Sequence, residues 1–184
     1  MDHDLVQLAQ RGDQDAFAVL VRTHGDRLFG IARRILRDID LADDAVQQAL
    51  VVAWRELPSL RDVDRFVPWS TRILVRICFE LSRATRQAAV RLVPLDVAIE
   101  PMAADAAEAV GRRDLLERGF RRLPPEQRAI LVLRHYVGLE PFEIAETLGI
   151  PAGTVRSRLH YAHREMRAAL EADARLSVAG GRPA

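Results

Sequence analysis

The sequence predicts an all-α protein: two small helical domains joined by a linker, the C-terminal one containing a helix-turn-helix. Three observations predict this. Apolar residues recur at helical spacing on both sides of the chain's middle, as a stripe that turns toward a core must. Between the two halves, residues 92–108 carry Pro94, Pro101 and many alanines but no amphipathic face, which reads as a linker. The segment P-F-E-I-A-E-T-L-G-I-P-A-G-T-V-R-S-R-L-H at 141–160 puts Ala145 four residues before Gly149 and Val155 six after it. A helix-turn-helix needs that set: a small residue where the helices touch, a glycine at the corner and an apolar wedge on the second helix. The expected organisation is an N-terminal domain over 1–91, an acidic linker over 92–108, a C-terminal domain over 109–175 and a disordered tail over 176–184.

Taken in order, residues 4–10 form a short amphipathic helix ended by Gly12. Asp13 is placed to cap a longer helical stretch carrying Phe17, Leu20, Val21, Leu28, Ile31 and Ile35, with an interruption expected at His24-Gly25. Asp40 is expected to cap the next helix, with Asp43 in its first turn, and Pro58 follows its end at Leu57. A polar connection at 59–65 leads into a helix from about Val67 into the 80s, with Pro68 in its first turn. Beyond the linker, helices are expected over 109–122, 125–137, 141–149 and 152–172, with Pro151 in the first turn of the last. The final V-A-G-G-R-P-A has no apolar period and is expected to be disordered.

The single cysteine, Cys78, excludes an intramolecular disulfide framework and fits a reducing compartment. The start is acidic and lacks a leader's apolar run, and no stretch approaches membrane-spanning length, so a cytoplasmic protein without membrane insertion is expected. All 27 cations are arginine, which a GC-rich genome accounts for without special chemistry. A formal net charge of +1 conceals alternating blocks. Residues 38–64 hold seven acids against two arginines, residues 65–91 hold six arginines against one acid, and residues 92–108 hold four acids and no cation. Alternation on this scale points to more than one kind of partner.

Two helices carry the candidate chemistry. After Thr154 the residues Val155, Leu159, Ala162 and Met166 form one apolar stripe, and Ser157, His160, Tyr161 and Arg164 lie opposite it, flanked by Arg156 and Arg167. Those side chains suit phosphates and base edges in a major groove, and Glu165 is the only acid between Gly149 and Leu170. In the earlier helix, Trp69, Ile73, Ile77 and Leu81 recur as a core face. Arg65, Arg72, Arg76 and Arg83 are spaced seven, four and seven, so a regular helix projects them as one ridge beside Trp69. Arginines neutralise phosphates and an aromatic stacks on an unpaired base. A solvated cationic helix with Trp69 in the core explains the same spacing. Trp54 reads as core. The histidines at 3, 24, 135, 160 and 163 are scattered, no nucleophile-base set or glycine-rich phosphate loop occurs, and His160 and His163 lack a second ligand pair. No enzyme activity, cofactor or metal is expected.

In this order the motifs resemble a known family. D-L-V-x-x-A-x-x-G-D-x-x-A-F-x-x-L at 4–20 and D-D-A-V-Q-Q-A-L-V-V-A-W-R at 43–55 resemble the opening and the polymerase-gripping helix of the extracytoplasmic-function sigma factors. L-P-P-E-Q-R-A-I-L-V-L-R-H-Y at 123–136 and G-T-V-R-S-R-L-H-Y-A-H-R-E-M-R at 153–167 resemble their C-terminal domain. Several independent motifs in the family's order are far more specific than any one. The resemblance implies a factor that binds core RNA polymerase and directs it to promoter DNA, often under control of an anti-sigma partner. It implies core contacts by Asp43, Asp44, Gln47 and Gln48, although Gln48 stands where an acid is common. It implies −10 strand contacts from Arg61, Asp62, Arg65, Trp69, Arg72 and Arg76, within which 59–65 corresponds to the loop that captures a flipped base in the family and varies with promoter, so only its location carries over. Arg76 stands where asparagine is usual, and Ser70-Thr71 replaces the usual leucine and aromatic. It implies upstream-element contacts from Arg156, Ser157, His160, Tyr161, Arg164 and Arg167, with Tyr161 and His163 standing where arginine is frequent. For the acidic linker, mimicry of nascent RNA and a plain solubilising tether both stay open. The alternative is a stand-alone helix-turn-helix regulator with an N-terminal helical sensor domain, which binds its promoter without polymerase, usually as a dimer.

Overall fold

The computed structural model describes residues 2–92, 117 and 119–180, and among them all regular structure is helical. The expected linker over 92–108 and most of the expected helix over 109–122 lie outside the described residues. Helix α1 spans Asp2–Gln10, buries Val6 and Ala9, and stops where Gly12 turns to φ +94°. Asp13 caps α2, Gln14–Leu36, by accepting from the Ala16 N–H. The expected break at His24-Gly25 is absent. A mid-helix glycine costs only about 1 kcal/mol, and buried Leu20 on one side and Leu28 and Ile31 on the other hold the helix continuous.

Helix α3, Ile39–Glu56, is capped two residues earlier than expected. Asp38, not Asp40, accepts from the Leu41 N–H at 2.9 Å. Arg37 adopts φ +64° and closes α2 through its N–H to the Arg33 carbonyl, so the chain is already turned when it reaches Asp38. Asp40 falls in the first turn, where its charge favours the helix N-terminus. Helix α3 buries Ala42, Ala45, Val46, Ala49 and Ala53, a narrow face of small side chains. Two short 3₁₀ turns, Leu57–Ser59 and Val63–Arg65, then lead into α4, Phe66–Leu92. Its buried face includes Ser70 and Thr71, whose hydroxyls both donate to the Val67 carbonyl and so enter the core satisfied. Trp54 is half-buried, with its ring 5.0 Å from that of Phe17. Cys78 is fully buried on α4, and burial pushes its thiol up to about 12.

In the C-terminal half, α5, Pro125–Val132, continues as a π-helical turn over Leu133–Val137 and ends where Gly138 takes φ +87°. Helix α6, Pro141–Leu148, opens with a capping box between Glu140 and Glu143. It ends at Gly149, whose φ of +65° makes the corner. Helix α7, Ala152–Gly180, starts at the expected residue, but Pro151 stands just before it rather than in its first turn, its carbonyl accepting from the Val155 N–H. It also runs past the expected end, so residues 176–180 are helical rather than disordered, because nothing before Gly180 in A-D-A-R-L-S-V-A breaks a helix.

The two halves pack on each other. One core cluster runs from Leu28, Ile31 and Ile35 through Leu74 and Cys78 to Ile130, Leu133, Ile144 and Val155. Helix α2 lies against α5, and α4 lies against α6. A smaller cluster of Val6, Ala9, Ala16, Leu20, Leu57 and Phe66 ties α1 to the start of α4.

Candidate nucleic-acid interface

Three surfaces hold the sequence-predicted residues, and they lie on different elements. On α7 the division is clean. Val155, Leu159, Ala162 and Met166 are buried, against α5 and α6, while Arg156, Ser157, His160, Tyr161, Arg164 and Arg167 are all exposed. The Arg164 guanidinium lies 5.0 Å from the Tyr161 ring centroid, and the His160 ring meets Tyr161 edge-on. At the flank of that exposed face the helix is tied by His163, whose Nε2 is 2.9 Å from that of His135, one imidazole donating to the other. Burial, then His135, Arg167 and His160, draw the His163 pKa below its ordinary value. A positively lined helix face with its apolar side fixed in a core is a stiff probe for a DNA groove.

On α3, Asp43, Asp44, Gln47 and Gln48 are exposed, and the Gln47 amide donates to Asp43 at 2.8 Å. Ile39 and Val51, 64% and 57% exposed, fall at four-residue spacing with Asp43 and Gln47 and put an apolar group at each end of that polar stripe. Sequence reasoning missed both, though the period was there to be counted.

The third surface departs from expectation. Arg72, Arg76 and Arg83 are exposed on α4, with Arg76 3.6 Å from Glu80. Arg65 does not join that ridge. It belongs to the 3₁₀ turn before the helix and reaches 81 residues along the chain to Glu146 of α6 at 2.6 Å. Trp69 is half-buried beside Phe66, and Arg61 and Asp62 are exposed. Helix α6 lies over the middle of this face. A cavity of about 350 Å³ separates the two helices, lined by Trp69, Arg72, Arg76 and Phe79 from α4 and by Thr147 and Leu148 from α6. A methyl group built on Gly149 falls 3.5 Å from Arg72 Nη2. Two further contacts fasten the halves. The Arg34 guanidinium sits 3.8 Å over the Tyr136 ring, and that ring's hydroxyl fills the space over Gly30, where an added Cβ meets it at 2.5 Å. No sequence period announces such contacts, because each partner lies in a different half of the chain.

Among the described residues, no helix is long and apolar enough to cross a membrane. Comparison with known proteins gives matches over both halves of the chain. Residues 20–88 match the family Sigma-70 region 2, and residues 113–166 match Sigma-70, region 4. The RNA polymerase sigma-H factor of Pseudomonas aeruginosa is 31% identical over 183 residues, covering 92% of this chain and 94% of its own. The ECF RNA polymerase sigma factor SigM of Mycobacterium tuberculosis (strain H37Rv) is 36% identical over 157 residues, covering 85% and 78%. Among solved structures, CnrH in complex with the cytosolic domain of CnrY matches with a TM-score of 0.66 at 30% identity, over 94% of this chain and 98% of that one. A stand-alone regulator accounts for the second family match and leaves the first, over 20–88, without explanation. The chain belongs to the extracytoplasmic-function RNA polymerase sigma factors, the initiation factors that give RNA polymerase its promoter.

Proposed function

We propose that this sigma factor works through the three surfaces separately. The outer face of α3, with Asp43, Asp44, Gln47 and Gln48, docks on core RNA polymerase. Arg61, Asp62, Arg65, Trp69, Arg72 and Arg76 hold the opened −10 strand, the arginines on phosphates and Trp69 against a base. Arg156, Ser157, His160, Tyr161, Arg164 and Arg167 meet the upstream −35 element as duplex, in the major groove. Residues 1–91 and 109–175 accordingly form the two working domains, with 92–108 between them. The factor makes and breaks no covalent bond itself, and it acts in the cytoplasm, where template and polymerase are. An anti-sigma protein is proposed as a further partner, and the complex of the similar CnrH with the cytosolic domain of CnrY supports a protein partner of this kind.

The observation that carries the reading is the two-sided character of α7, four residues locked in the core and six polar or cationic ones in solvent. The test is run-off transcription with core polymerase on promoters from the protein's own genomic neighbourhood. Transcripts that need both the factor and an upstream element are expected. Tight, dimeric promoter binding with no stimulation of polymerase would overturn the proposal in favour of a stand-alone regulator.

A further inference from the structure

Arg128 of α5 is a buried charge that none of the three surfaces uses. It is 9% exposed, and its Nη1 donates to the Phe120 carbonyl at 3.5 Å. Its Nε is shut away from solvent and meets no acceptor among the described residues. A guanidinium donor in that position is costly, because it has lost water and gained nothing in exchange. The neighbours add to the cost. Burial, then the charges of Arg37 and Arg86, draw the Arg128 pKa down to about 10, against a smaller pull from Glu126. The carboxylates at hand serve the other two arginines: Glu117 pairs with Arg37, and Glu126 stands 4.0 Å from Arg86. Arg37 closes the end of α2, Arg86 lies toward the end of α4, and α5 packs against both helices. Three guanidinium groups from three helices thus face two carboxylates, and the donor without a partner is on the most buried of the three.

Charge and shape define the ligand that answers this arrangement. A phosphate group carries its negative charge on tetrahedral oxygens, so it accepts from guanidinium groups arriving from different directions. A carboxylate is flat and pairs best with a single fork. We propose that Arg37, Arg86 and Arg128 form a binding site for one phosphate group, free or carried by a small nucleotide, at the seam between the two halves of the chain. Arg128 Nε donates to one oxygen, and Arg37 and Arg86 neutralise the others from α2 and α4. Two of these arginines belong to the N-terminal half and one to the C-terminal half, so the bound phosphate ties the halves together, in addition to the Arg65–Glu146 and Arg34–Tyr136 contacts. The site stands apart from the roles proposed for the three surfaces and does not depend on them.

The test uses the whole chain in phosphate-free buffer, titrated with inorganic phosphate and followed by the phosphorus NMR line width. The thermal midpoint is read in parallel against chloride at equal ionic strength. Saturable broadening is expected, with a midpoint raised beyond the effect of chloride. Arg86→Ala alters an exposed side chain and is expected to weaken phosphate roughly tenfold, the loss of one charge-assisted hydrogen bond. Arg128→Gln should abolish binding. Arg128→Lys keeps the charge and loses the Nε donor, so it measures the part played by α5 if Arg128→Gln fails to fold; a loss of roughly tenfold is expected. Weakening by variants on both sides of the seam establishes the tie. Full affinity in Arg86→Ala, or in both Arg128 variants, would confine phosphate to one half and overturn the proposal. A midpoint that follows ionic strength alone would overturn it as well. Adenosine monophosphate and adenosine separate the two sources. Tighter binding of the monophosphate than of phosphate, with adenosine inert, assigns the site to a nucleotide's phosphate, and equal affinity assigns it to free phosphate.

Discussion

Arg164 and Arg167 stand less than a turn apart on α7 with their guanidinium groups in solvent, yet their surroundings differ. Arg164 lies over Tyr161 and within 3.3 Å of Glu165, so its planar fork is held partly oriented before it meets DNA. Arg164→Ala is therefore expected to lose about 1–3 kcal/mol of discrimination at one or two upstream base pairs. Arg167→Ala should weaken binding to all sequences alike and flatten the salt dependence. Transcription from a library of upstream variants checks both, and the reverse pattern would mean that the helix is rotated in the groove. His163 supplies a second prediction. Its pKa is depressed below 6.5, so as the pH falls the unfolded chain takes up this proton before the folded one does. The site's contribution to stability is complete above pH 6.5 and is lost as the pH drops through the folded value. His163→Gln should make the thermal midpoint less sensitive to acid below about pH 6.5. An unaltered acid slope would show that the His135–His163 contact does not govern it.

At the level of whole elements, the face of α3 proposed to dock on polymerase is a polar stripe closed off by Ile39 and Val51. Replacing Asp44 and Gln47 together by Ala is expected to weaken core binding by about 1–2 kcal/mol, roughly tenfold. Both residues are exposed, so the circular-dichroism signal should not change. A titration with unchanged affinity would remove this face from the interface. Helices are also where the sequence was most readable. The apolar stripe of α7 and the glycine corner after α6 repeat at a period that one helix sets by itself, and the structure buries the stripe residue by residue. Ends were harder. Asp38 and Asp40 are equivalent candidates by type, and only the left-handed turn at Arg37 makes the first of them the cap. The spacing of Arg65 matched a ridge because counting ran the helix backward through a 3₁₀ turn, which no period distinguishes.

At the scale of the molecule, α6 covers the face of α4 on which the strand contacts are proposed. A strand lying along Arg72 and Trp69 has no room while Thr147 and Leu148 stand across the cavity, whereas the outer face of α7 stays open. The proposed strand contacts therefore predict that the halves part when the strand binds. The exposed Arg65–Glu146 pair is worth only about 0.2–1 kcal/mol, so Glu146→Arg is best combined with Gly30→Ala, which drives the Tyr136 hydroxyl from its place. Fluorophores on α3 and α7 are expected to report a longer mean distance in the double variant, with helicity retained. An unchanged distance would show that the shared apolar core alone holds the halves together. This packing was invisible in the sequence, where Arg65 and Glu146 are 81 positions apart. A different consequence follows from the buried cysteine of α4. With burial raising its pKa to about 12 and no exposed surface, Cys78 is held as the thiol at neutral pH. No second thiol exists within the 184 residues to trap an oxidised form. Oxidation at Cys78 thus requires α4 to leave the core first, so any chemistry of this thiol reports the opening of the fold.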